Sequence, residues 1–157
     1  MKSKDKHIDS FVGMVLLDHN DRIFLIKEDD KNAISRNRWN LPGGSIDGDE
    51  DLIEAAKRET KEETGYQADI ISMLGCYKCK KGNSSWVYIV FEARITGNVN
   101  KKTDPSIKEG KWFKREQFLH LGSDELVHPD MQLVYNVAVE EKGLSINTVK
   151  FINYDIQ

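Results

Sequence analysis

Glu59, Glu62 and Glu63 stand at the one spacing that crowds carboxylates together on a helix. At about 100° of turn per residue, Glu59 and Glu63 are i,i+4 neighbours and Glu62 lies beside them. Like charges so placed destabilise a bare helix by roughly 0.2–0.5 kcal/mol per pair, a local cost that a divalent cation would offset. The same helical wheel puts Leu52, Ala55 and Ala56 on the face of Glu59 and Glu63, with Glu54, Lys57 and Lys61 opposite, so the carboxylates are expected to face the protein body. Glu62 and Glu63 also fall just before Gly65, in what would be the last turn, where the helix macrodipole favours cations. Local rules broken in one place and in one direction mark a functional site.

A solvated, charge-rich helix is the plain alternative and the commoner use of glutamate-rich sequence. Apolar neighbours on the wheel, and the lack of a basic residue at i+4 to neutralise the cluster, argue against it. Glu54 and Arg58 read as an ordinary supporting i,i+4 pair without chemistry.

The elements that must position these carboxylates can be read along the chain. Asp9 to Leu17 reads as a buried strand, His19-Asn20-Asp21 as a turn and Ile23 to Lys27 as the second strand of a hairpin. Glu28 to Arg38 is polar and without period, a loop over a cleft, after which Trp39-Asn40-Leu41-Pro42-Gly43-Gly44 leads through a short extended piece into a tight glycine turn. Asp47 followed by Glu50 resembles a capping pair, which predicts a helix from near Asp49 to Gly65. Two strands follow, about Ala68 to Lys80 and Ser85 to Ile95, joined by a hairpin at Lys81-Gly82-Asn83. A polar connection, Thr96 to Ser106, leads to a strand at Ile107 to Phe113, a short helix at Arg115 to His120 and a longer one at Pro129 to Glu141. Segment 144–157, with its VKFINYDI tail, reads either as an added strand or as an interface, so a homodimer stays open. This order implies an α/β domain in which helices cover a mixed β-sheet.

The composition bounds the function classes. At 157 residues, 39% hydrophobic and 31% charged, the chain fits a single domain over 1–157. The N-terminal residues carry charge but no apolar stretch behind it, and Met14 to Leu17 is far too short to span a bilayer, so the expected location is cytoplasmic, without a membrane partner. A net charge of −3 gives no broad footprint for duplex nucleic acid, and a polyanionic ligand would need cations at the site. Cys76 and Cys79 form a lone CxxC on a strand, where i and i+3 face opposite ways, so they read as structural or incidental. No Gly-Lys-Ser/Thr follows Gly44, and His7, His19, His120 and His128 form no HExxH, which removes the P-loop and zinc-peptidase readings. Trp39, Trp86 and Trp112 suit core packing at least as well as base stacking.

Gly44, Glu50, Arg58-Glu59, Glu62-Glu63 and Gly65, in that spacing and behind Trp39-x-Leu-Pro-Gly-Gly, resemble the signature of the Nudix hydrolases. The motif covers residues 44–66; Thr60 stands where a bulky aliphatic is usual, which bears on packing, and Tyr66 fills the closing hydrophobic position. The resemblance implies a Nudix-like α/β/α sandwich and hydrolysis of a phosphoanhydride bond in a nucleoside diphosphate derivative, with Mg2+ or Mn2+ as cofactor. Hard oxygen ligands and clustered phosphate charge suit that chemistry. By resemblance, Glu59, Glu62 and Glu63 coordinate metal, with the carbonyl of Gly43 or Gly44 as a further ligand. Arg58 orients a catalytic glutamate, Glu50 positions that cluster, and Glu59 is the choice for general base.

Outside the motif, Glu109 resembles an additional acidic residue near the metals, or else is a surface glutamate on a strand edge. Lys27 resembles a phosphate-contacting position, or else is a plain strand-end lysine; Arg36 and Arg38 could clamp a terminal phosphate or be merely solvated. Patterns of the NADH, coenzyme A, ADP-sugar and dinucleoside polyphosphate enzymes are absent, which favours a small nucleoside triphosphate-type or housekeeping pyrophosphohydrolase. The competing expectation is a non-catalytic Nudix module that senses a nucleotide or ADP-ribose. The full set of motif carboxylates favours the enzyme.

Overall fold

The computed structural model describes residues 8–29, 35–81, 83–98, 103–128 and 130–146. An eight-stranded sheet runs through it, built on β1 (Asp9–Leu17), whose residues Val12 and Met14 to Leu17 are fully buried because both faces of the strand are covered. β2 (Ile23–Glu28) returns from the expected turn and pairs antiparallel with β1 at Leu17 and Ile23. The further strands are β3 (Trp39–Asn40), β4 (Gly43–Ser45), β5 (Tyr66–Lys81), β6 (Ser84–Asn98), β7 (Ile107–Phe113) and β8 (Leu144–Ser145). They run β3-β2-β1-β6-β5-β8, with β4 on β1 and β7 on β2. Only β1 and β6 pair in parallel among these, so the sheet is mixed, as the element order implies.

Helices cover both faces. α1 (Leu52–Thr64) lays Ala55 and Ala56 on Val12, Met14, Leu16, Phe24, Ile26 and Phe91. α2 (Arg115–Leu119) and α3 (Met131–Asn136), which runs on into a π-helical turn at Val137–Glu141, pack Phe118, Met131, Val134 and Tyr135 on Leu17, Leu25, Trp39 and Phe113. Two apolar layers with the sheet between them make the expected α/β/α sandwich.

One edge of β1 is shared, by β2 at its end and by β4 near its start, where Gly13 pairs with Gly43 and Val12 with Gly44. The glycine pair expected as a tight turn is therefore a strand, and the turn falls later, at Gly48 with φ +49°. The helix likewise begins at Leu52, and its cap is Asp51, whose Oδ1 accepts from the N–H groups of Ile53 and Glu54 at 2.7 and 2.9 Å. Asp47 and Glu50 instead close a turn ahead of it, the Glu50 N–H donating to the Asp47 carbonyl. Gly65 ends α1 at φ +72°, its N–H donating to the Lys61 carbonyl, so β5 starts at once and is longer than expected. The expected helix at 129–141 is α-helical only over Met131–Asn136, and the VKFINYDI tail lies outside the described residues. No helix among the described residues is long and apolar enough to cross a membrane.

Candidate active site

Arg58 is the hub of the carboxylate cluster. Its Nε and Nη2 donate to the two oxygens of Glu50 at 3.0 Å each, and Nη2 also reaches the Ser45 carbonyl at 3.0 Å. Nη1 donates to Glu59 Oε1 at 2.7 Å and to Glu62 Oε2 at 3.3 Å. This corrects two expectations: among the described residues Arg58 forms no ion pair with Glu54, and the cluster does have its cation, one residue before Glu59 and four before Glu62. Four carboxylates, those of Glu50, Glu59 and Glu62 and, at 3.5 Å, Asp47, together outbid the single exposed Glu54, and the guanidinium fork binds Glu50 through two parallel bonds.

The three motif glutamates occupy different environments. The side chain of Glu59 is only 12% exposed, and a Cβ on Gly44 would come within 2.6 Å of its carboxyl carbon, so the glycine leaves the space that the carboxylate fills. Glu63 also turns inward, and its Oε2 accepts from the Gly43 N–H at 2.7 Å. Glu62 is 50% exposed and points outward, contrary to the expectation that all three face the body. Thr60 is buried among them at no loss of hydrogen bonding, since its Oγ1 donates to the Ala56 carbonyl at 2.7 Å.

Electrostatics separate the carboxyls further. Burial raises Glu63 to about 8, opposed by the Gly43 N–H and reinforced by the charges of Glu59, Glu28 and Asp104. Burial also raises Glu59, although Arg58 pulls the other way. Glu50 is held below the ordinary carboxylate value by its bonds to Arg58. Among the described residues, Glu59, Glu62 and Glu63 each have one oxygen tied in the bonds given above.

The NUDIX domain family matches residues 8–133, a span that includes the sheet, α1 and the whole carboxylate cluster. The chain belongs to the NUDIX family. It is 31% identical over 113 residues to an 8-oxo-dGDP phosphatase of Mus musculus, covering 70% of this chain and 33% of that protein. It is 27% identical over 153 residues to an RNA pyrophosphohydrolase of Novosphingobium aromaticivorans, covering 83% and 89%. A solved NUDIX hydrolase structure from Nitrosomonas europaea superposes with a TM-score of 0.80 at 18% identity, over 93% of this chain and 98% of that one, which is a likeness of fold. The chain thus spans about a third of the first relative's length and most of the second's.

In this NUDIX site Glu59, Glu62, Glu63 and the carbonyls of Gly43 and Gly44 could offer oxygen donors alone, a set that would suit Mg2+ or Mn2+ and not a thiolate-seeking metal. A carboxyl raised by burial and, after it, by neighbouring like charges, as Glu63 is, fits the same cation. Among the described residues no three acidic, histidine or cysteine side chains already converge on one metal position. Arg58 holds Glu59 and Glu62 by one oxygen each, and Glu63 is held on the opposite side by Gly43.

Of the residues outside the motif, Lys27 places its Nζ 4.3 Å from the centroid of the Trp39 ring, and Glu109 is its cross-strand partner on β7, exposed. After burial and the charge of Glu59, the charges of Glu28 and Asp104 also raise Glu63, two acids the sequence does not single out. A register shift between Lys27 and Glu28 separates these two neighbours, and Glu28 accepts from the Ser35 hydroxyl. Asp104 arrives through its backbone, its N–H donating to the Glu62 carbonyl at 2.8 Å. Arg38 is partly exposed in the turn before β3 and Arg36 is exposed. Trp39 and Trp112 are packed, Trp39 against Phe113 and Trp112 against Phe24 and Tyr66. Cys76 and Cys79 are both free thiols.

Proposed function

We propose that this NUDIX protein hydrolyses a phosphoanhydride bond in a nucleoside diphosphate derivative, with Mg2+ or Mn2+ as cofactor. The observation that carries this reading is the Arg58 cluster, which holds Glu59 in the space beside Gly44 while the Gly43 N–H draws in Glu63. Glu59, Glu62, Glu63 and the Gly43 or Gly44 carbonyl would hold the cation, whose part is to neutralise phosphate charge so that water can approach phosphorus. The names of the two relatives support nucleotide phosphate chemistry.

Glu59 is the general base in this reading. Arg58 fixes one of its oxygens and leaves the other to accept a proton, and burial makes the carboxylate more basic than an exposed one. The oxygen of water bonds to phosphorus, its proton passes to Glu59, and the anhydride P–O bond breaks with the bridging oxygen leaving on the departing phosphate. Glu50 positions Arg58, and through it Glu59. Lys27 and Arg38 are assigned to the substrate phosphates, with Glu28, Asp104 and Glu109 as the surrounding acids. Glu62→Gln tests the assignment: Mg2+-dependent turnover falls about 100-fold while nucleotide binding persists. A variant as fast as the parent contradicts it.

A further inference from the structure

Tyr88 on β6 lies outside the motif, and the proposed reaction gives it no part. Its ring lies across β1, so that a Cβ on Gly13 would meet its hydroxyl oxygen at 1.9 Å and its Cζ at 2.4 Å. Gly13 therefore supplies the space in which the phenol rests. Gly13 is paired with Gly43, and the Gly43 N–H holds Glu63, so the phenol ends one strand away from the carboxylate cluster.

The ring packs on the core while the residue stays partly exposed, and its hydroxyl has no hydrogen-bond partner among the described residues. Tyr135, on the same side of the sheet, shows the contrast: its hydroxyl donates to the Asp21 carbonyl at 2.9 Å. A hydroxyl that bonds to none of the described residues keeps its proton for a partner from outside the chain. Burial, then the charges of Glu63, Cys79 and Glu28, holds the phenol above its ordinary value, so it is protonated and can donate at neutral pH. The imidazole of His128 flanks the ring at 6.3 Å between centroids, and Tyr77 stands directly opposite on β5.

We infer that the Tyr88 hydroxyl is a substrate-binding group that donates a hydrogen bond to a phosphoryl oxygen of the nucleotide's diphosphate. The inference rests on the reading of the site as one for nucleoside diphosphate derivatives. A diphosphate engaged by the cluster at Gly43 and Glu63 would lie one strand from this phenol, and its oxygens are acceptors present in every member of the substrate class. A neutral donor one strand from the cluster also adds attraction where the carboxylates alone would repel a phosphate.

Calorimetric titration tests this without requiring turnover. Wild type and Tyr88→Phe are titrated in Mg2+ with inorganic pyrophosphate, ADP and GDP. The expected result is binding weakened about five- to tenfold for all three ligands, pyrophosphate included, the size of one lost hydrogen bond. In turnover the same variant raises KM with little change in kcat, since the bond is made in both ground and transition states. Gly13→Ala, which drives a methyl into the phenol's place, weakens the same three ligands at least as much while far-UV circular dichroism stays native. Unchanged binding by Tyr88→Phe overturns the inference, as does weakening confined to ADP and GDP, which would move the hydroxyl to the nucleoside. Failure of wild type to bind any of the three also overturns it. A wild type that binds but never hydrolyses would sink the catalytic reading alone and leave the comparison of affinities valid.

Discussion

Arg58→Ala removes the cation that Glu50, Glu59 and Glu62 share. The side chains of Glu50 and Glu59 are 17% and 12% exposed and that of Arg58 is 27% exposed, so solvent compensates the loss only in part. A hydrogen bond to a charged group contributes about 1.5–3 kcal/mol, and the two well-sheltered carboxylates lose theirs together. The contact to Glu62, half in water, adds about 0–1 kcal/mol. Discounting for exposure and for non-additivity within one network, the expected destabilisation is about 2–4 kcal/mol. In metal-free urea unfolding at pH 7, with a slope of about 2 kcal/mol per M, the midpoint falls by about 1–2 M and the slope is unchanged. The difference also depends on pH in a stated direction. Glu50 is depressed in the folded state below 4.5, so its share is complete above that value and is lost as pH falls through the depressed one. A midpoint shift below about 0.3 M, or a difference that persists undiminished in strong acid, would refute the network.

Glu63 titrates in the opposite sense. Its folded value is raised to about 8 from 4.5, so its contribution to the stability of the metal-free protein is complete below 4.5 and is lost as pH rises toward 8; thermal melting between those values shows this slope in wild type and not in Glu63→Gln, and Mg2+ abolishes it. Gly44→Ala places a methyl 2.6 Å from the Glu59 carboxyl carbon, and the displaced carboxylate is expected to lower kcat about tenfold or more, with far-UV circular dichroism unchanged. Glu59→Gln removes the proposed base: kcat falls about 100- to 10,000-fold with KM little altered, measured by steady-state release of phosphate.

The chemistry-bearing helix was legible because its signals are local. Gly65, the apolar stripe of Ala55 and Ala56 and the glutamate spacing all act within a few residues, and the helix formed within three residues of the expected start. The cap falls at Asp51 and not at Asp47 for the same reason: both have the residue type of a cap, and Glu50 is drawn off by Arg58 eight residues on. Contacts between distant segments were not legible. Gly43 and Gly44 look like a turn until β1 offers an edge, and Asp104 enters the site through a bond to the Glu62 carbonyl that no spacing encodes. Glu28 carries no signal beside Lys27, since the register shift that separates the two is invisible in the sequence. Tyr88 carried no signal at all, since its place depends on a glycine in another strand.

The central claim is that the cluster around Arg58 serves metal-dependent hydrolysis of a nucleotide's phosphoanhydride. Release of phosphate or pyrophosphate from nucleoside di- and triphosphates, nucleotide sugars, NADH and dinucleoside polyphosphates, with and without Mg2+, tests it most directly. The expected result is turnover of at least one member that requires the cation. Metal-dependent binding of nucleotides with no turnover of any member would contradict it and assign the fold to nucleotide sensing.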